Sequence, residues 1–125
     1  INSLDGTIYG GVTLATDSFG NANSAYHFDG VDGSWIELSD TSLLKAEAMS
    51  ISVWVNPESI ASSHYIVYTK NNQSAHIEAY VVGISAGKIK APKKTNGSSG
   101  TDAAIGTTNS VTNTWYHVVA TFDAD

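Results

Sequence analysis

Residues 114–123, Thr-Trp-Tyr-His-Val-Val-Ala-Thr-Phe-Asp, decide the fold class. Tyr116, Val118, Ala120 and Phe122 take every second position against Trp115, His117, Val119 and Thr121. A period of two belongs to a β-strand, whose successive side chains point to opposite faces. Both rows are largely apolar, so this strand is expected to be covered on both sides. Upstream, Ser50-Ile51-Ser52-Val53-Trp54-Val55-Asn56 alternates in the same way, with Ile51, Val53 and Val55 on one face. Ser34 to Leu38, His64 to Thr69, His76 to Ile84 and Lys88 to Lys90 read as further strands, rich in β-branched and aromatic residues.

Turn pairs separate these runs at short spacing: Asp5-Gly6, Gly10-Gly11, Gly20-Asn21, Asp29-Gly30, Asp32-Gly33, Asn71-Asn72, Ala86-Gly87 and Asn96-Gly97. Asn, Asp and Gly tolerate the positive φ that tight hairpins require. Thr41 to Met49 is the one helix-like stretch, a turn or two with Asp40 or Thr41 as its cap. Ala91 to Thr108 reads as a long exposed loop or hairpin tip, with a basic entry at Lys93-Lys94 and no core-forming residue before Ala103. About ten strands and almost no helix predict an all-β fold, an antiparallel β-sandwich or jelly roll, in a single domain over residues 1–125.

The composition narrows the function. The chain has 125 residues, six lysines, no arginine, twelve carboxylates and a net charge of -6. Nucleic acid is excluded as a partner, since no positive field neutralises phosphates and no guanidinium recognises them bidentately. Apolar runs are far shorter than the ~20 residues of a membrane-spanning helix. The absence of cysteine removes disulfides and thiolate metal sites but leaves the compartment open. Polarity comes from neutral groups, with 16 Ser, 12 Thr and 9 Asn, a pattern common in secreted all-β proteins.

Three segments carry a family resemblance. Asp17 to Gly33 (Asp-Ser-Phe-Gly-Asn-Ala-Asn-Ser-Ala-Tyr-His-Phe-Asp-Gly-Val-Asp-Gly), Ser50 to Pro57 and Asn113 to Asp123 resemble, in order and spacing, the motifs of laminin-G-like, concanavalin A-like jelly-roll domains. In the first motif Tyr26 and Phe28 are expected to fill one face of a strand. Measured against that pattern, the first and last strands of the family's sandwich are missing from this sequence. Unpaired sheet edges invite another chain, so a homodimer formed through open edges or strand exchange is expected.

The resemblance implies a secreted or cell-surface binding module, and the residues bear on what it binds. Retaining glucanases of this group carry Glu-x-Asp-x-x-Glu on one strand, which holds acid and nucleophile about 5–5.5 Å apart. Glu37, Glu47, Glu58 and Glu78 never form that spacing, so no catalytic residue is expected. The four histidines, His27, His64, His76 and His117, lack metal-ligand spacing, and His27 and His117, inside strands, read as structural. Carbohydrate recognition needs aromatic faces for sugar rings and amides for their hydroxyls. Tyr65, Tyr68 and Tyr80 with Asn71, Asn72 and Gln73 supply that mixture, although tyrosines in the core and asparagines in a turn explain the same residues. The family resemblance also implies calcium in some relatives. Asp17, Asp29 and Asp32 are the oxygen donors available for it, and equally the residues that Asp-Gly turns ask for. The expected partner is a carbohydrate or an extracellular protein.

Overall fold

The computed structural model describes residues 5–39, 44, 48–68, 79–94 and 102–123. It is all-β with antiparallel pairing throughout. The ten strands are β1 (Gly6–Tyr9), β2 (Thr13–Ala15), β3 (Ala25–His27), β4 (Trp35–Leu38), β5 (Met49–Val55), β6 (His64–Tyr68), β7 (Ala79–Ser85), β8 (Lys88–Lys94), β9 (Asp102–Asn109) and β10 (Tyr116–Phe122). The chain divides into two compact units, Ile1–Leu44 and Lys45–Asp125.

In the first unit β1 pairs with β4, and β2 pairs with β3. The β1–β4 ladder ends at Tyr9↔Trp35, where the chain bends through Gly10. Gly10 has a φ of +66°, and a Cβ there would lie 2.5 Å from the Gly33 carbonyl oxygen, so only glycine fits. Val12 is the unit's one buried hydrophobic residue among those described. Tyr26 and Phe28, expected to fill a core face, are about half exposed.

The second unit is a sandwich built on two sheets. One has the order β6-β7-β8-β9 and the other pairs β10 with β5. The core lies between them: Tyr80 and Val82 from β7 meet Val118, Ala120 and Phe122 from β10, flanked by Met49, Ile51, Val53 and Val55 of β5. The Tyr80 and Phe122 rings meet edge to face with centroids 4.8 Å apart, a favoured aromatic geometry. The expected inward rows of β5 and β10 are therefore the buried ones.

Two further expectations need correction, and a third is largely untested. The opposite row of β10 is open: His117, Val119 and Thr121 are exposed. Apolar character on both rows misled because Val119 faces Ser52, and Trp54 faces His117, on an outer surface. The stretch 91–108 is no continuous loop, since β8 runs to Lys94 and β9 opens at Asp102. Its lysines, alanines and proline are weak strand formers, and the pairing of β8 with β7 and of β9 with β8 supplies the order that propensity does not. The helical reading of 41–49 falls mostly outside the described residues, and Met49 already opens β5.

Candidate functional site

The sheet β6-β7-β8-β9 has an inner and an outer face, fixed by alternation along β7. Tyr80, Val82 and Ile84 are buried, so Val81, Gly83 and Ser85 belong to the outer face. Directly opposed residues of antiparallel strands share a face. The register Tyr65↔Gly83↔Lys90↔Ile105 is therefore one continuous row across the outer surface. Ser85↔Lys88↔Asn109 forms a neighbouring row, and Tyr68↔Val81 another.

Tyr65 and Tyr68 are three residues apart, and in a regular strand they would project from opposite faces. A β-bulge between Tyr65 and Val67 changes this. Ile66 is the extra residue, and the pairing resumes at Val67↔Val82. Both tyrosines consequently reach the outer face, 71% and 58% exposed. Their ring centroids lie 5.5 Å apart with planes inclined by 43°. Gly83 is part of the same device. A Cβ there would sit 2.6 Å from the His64 carbonyl oxygen, so glycine permits the bulged strand to approach.

The remaining candidates divide. Tyr80 is 2% exposed and packs on Phe122, so it is a core residue and offers no ring to a ligand. It belongs to the same inward row as Val82 and Ile84. Asn71, Asn72 and Gln73 lie outside the described residues, so the amide half of the expected site rests on sequence alone.

Among the described residues Asp17, Asp29 and Asp32 are not brought together as one group of donors. The Asp17 Oδ1 accepts the backbone N–H groups of Phe19 and Asn21, each at 2.9 Å, and its Oδ2 accepts the Asn21 side-chain amide at 3.0 Å. These bonds, the Asn21 side chain first, hold the carboxyl below its ordinary pKa. Asp29 is likewise lowered, first by the Ser34 hydroxyl and then by the Val31 N–H, 3.0 Å from its Oδ1. Ser34 in turn accepts the Gly11 N–H at 2.9 Å. Asp32 is exposed in its turn. Among the described residues no three His, Cys, Asp or Glu side chains are grouped to hold a metal ion. The two carboxylates are engaged in ordering their own turns.

Sequence reasoning missed two further aromatic pairs. Tyr9 stacks on Trp35 with centroids 5.1 Å apart, and Trp54 stacks on His117 at 5.0 Å. His117 also shares a hydrogen bond of 2.9 Å with the Ser52 hydroxyl. Both pairs are direct cross-strand neighbours, a relation that needs the register and is not visible in either strand alone. In both, each ring covers part of the other's face. The tilted tyrosines leave more ring surface to solvent, so the candidate site is the outer face around Tyr65 and Tyr68.

Comparison with known proteins gives one positive result. The family model described as the concanavalin A-like lectin/glucanases superfamily, a laminin-G-like family, matches residues 28–125. No curated protein and no solved structure matches.

Proposed function

The chain belongs to the concanavalin A-like lectin/glucanases superfamily, and from that footing we propose that it is a non-catalytic module recognising carbohydrate through the tyrosine pair of β6. Membership fits a binding module in general. The observation that carries the finer reading is the bulged strand, which turns two tyrosines onto one open sheet face. Sugar rings present apolar C–H faces that stack on aromatic rings, while tyrosine hydroxyls remain free to bond sugar hydroxyls. Gly83 stands opposite Tyr65 and Val81 opposite Tyr68. A secreted or cell-surface location follows from the same reading. Among the described residues no helix is long and apolar enough to cross a membrane.

Calorimetric titration with oligosaccharides tests the proposal. Tyr65→Ala and Tyr68→Ala should each weaken binding by about tenfold or more, the scale of a tyrosine anchor, with unchanged melting temperatures. Glycan binding that survives both substitutions would move the site elsewhere, and no glycan binding at all would sink the reading.

A second reading, a self-associating structural module, has its own observation. Among the described residues β5 and β10 form a sheet of only two strands, so both of its edges carry unpaired backbone groups. Light scattering across a concentration series separates the two. A dimer indifferent to glycan supports self-association, and a monomer excludes it.

A further inference from the structure

Among the described residues the two sheets of the second unit leave four strand edges unpaired, those of β6, β9, β5 and β10. An edge strand presents a row of free N–H and C=O groups, and soluble proteins blunt such rows with bulges, charges, proline or very short strands. β6 carries the bulge at Ile66. β9 carries Asp102 and Gly106, and its ladder with β8 shifts register between Lys88 and Lys90. The strands of the first unit are only three or four residues long. β5 and β10 have seven residues each and none of these devices: neither contains an acid, a lysine, a proline or a glycine, and the ladder between them is unbroken.

Burial separates these two edges. On β10 the inward residues Val118, Ala120 and Phe122 are buried. On β5 the inward residues Met49, Ile51, Val53 and Val55 pack on the same core and are only half-buried. The core is therefore better closed along β10 than along β5. A strand added beside β5 would take apolar surface out of water as well as pair backbone groups, and one added beside β10 would gain less. The segment Met49 to Val55 also complements itself. Laid antiparallel on a second copy about a two-fold axis through Ser52, Ile51 opposes Val53, Met49 opposes Val55 and Ser50 opposes Trp54, each in both directions. Inward residues meet inward residues, and no charge of one acidic chain faces a like charge of the other along the strand.

We propose that β5 is the interface between two copies of this chain, paired antiparallel about Ser52, so that the two β5–β10 sheets join in the order β10-β5-β5-β10. Such a contact is isologous and closes after two copies. The inference rests on the self-associating reading and adds the strand, its direction and its register. β5 belongs to the sheet without the tyrosine pair, so dimerisation and ligand binding do not compete for the same residues.

The test uses the full chain, which has no cysteine of its own, so a single introduced thiol can pair only with its copy. Directly opposed Cα atoms of antiparallel strands lie about 4.5–5.5 Å apart, within the reach of a disulfide. Light scattering across a concentration series should show a dimer, and mild oxidation of Ser52→Cys should lock it. Ser50→Cys stands about 13 Å along the strand from its copy and should stay reduced, as should Val119→Cys, the exposed midpoint of β10. Ser52→Lys, which opposes two ammonium groups, should weaken the dimer by about tenfold or more. Ser52→Ala, which removes only the hydroxyl bonded to His117, should leave it unchanged. Cross-linking of Ser50→Cys as readily as Ser52→Cys would overturn the register. A dimer that Ser52→Cys does not lock, whether or not Val119→Cys does, would overturn the assignment to β5 and leave self-association standing. A monomer at every concentration overturns both and gives the open edge to a strand of another origin.

Discussion

Gly83→Ala should destabilise the protein and disrupt the tyrosine pair, because the glycine and the bulge form one arrangement. An ideal Cβ at Gly83 falls 2.6 Å from the His64 carbonyl oxygen, 3.6 Å from its carbon and 3.7 Å from the Tyr65 Cα. The first contact lies inside the 3.0 Å that real Cβ atoms respect. All three neighbours are backbone, so no rotamer change relieves the clash and β6 itself must move. Overpacking of this kind costs about 1–3 kcal/mol. The stiffer unfolded chain returns about 0.4–1 kcal/mol of it. A net loss of about 1–2 kcal/mol lowers the melting temperature by roughly 4–8 °C for a chain of this length. Gly106→Ala is the control. Its Cβ meets the Ile89 carbonyl oxygen at 3.4 Å, so the substitution should be neutral or raise the melting temperature slightly. Thermal melts followed by circular dichroism supply the comparison, and glycan titration shows whether the displaced strand still presents both rings. If the two alanine variants melt within about a degree of each other, the role assigned to Gly83 is wrong.

Three other outcomes follow from the described contacts. Asp17 and Asp29 have pKa values lowered by their turn hydrogen bonds, so their stabilisation is complete above the unfolded-state value and is lost as pH falls through the lower folded values. Acid melts should show stability falling below about pH 4, and Asp17→Asn should flatten that fall. Among the described residues the buried His64 Nε2 has no hydrogen-bond partner, so His64→Leu should leave stability unchanged or raise it by about 1 kcal/mol. A loss of more than that in a urea melt would mean the imidazole has a partner. Because Asp17 and Asp29 are engaged in their turns, EDTA should not shift the melting curve, and a drop restored by calcium would contradict the geometry given for them.

The fold was legible wherever one row of a strand is buried. Ile51, Val53 and Val55 on β5, and Val118, Ala120 and Phe122 on β10, alternate because one side of each strand faces the core. The same rule should have removed Tyr80 from the candidate site, since it lies in step with Val82 and Ile84, and its position beside polar residues drew attention away from that periodicity. The Tyr65–Tyr68 pairing was not legible. It depends on Ile66 being an extra residue, and a bulge is a property of two strands in register. The one trace in the sequence is Gly83, a glycine inside an apolar run, which marks a close backbone approach without saying to what. Strands β8 and β9 were hidden for another reason. Lys, Ala, Pro, Gly and Thr give little period-two contrast, and the order comes from pairing, β8 with partners on either side and β9 with β8.

The case for the tyrosine face over the outer face of β5 and β10 is one of open chemistry. Both are outer surfaces of the same sandwich and both carry aromatic residues. On β5 and β10, Trp54 and His117 lie against each other, and Ser52 is bonded to the imidazole. A ligand there would have to compete with contacts already made. On β6 the rings tilt apart, and both remain largely exposed. Each of these features leaves an interaction for an incoming molecule to complete. The bulge achieves this without disturbing the core, because His64 and Val67 keep their places opposite Ile84 and Val82 while the tyrosines are turned outward together. A strand that inserts one residue re-aims two rings, against a partner strand that supplies glycine where the backbones meet.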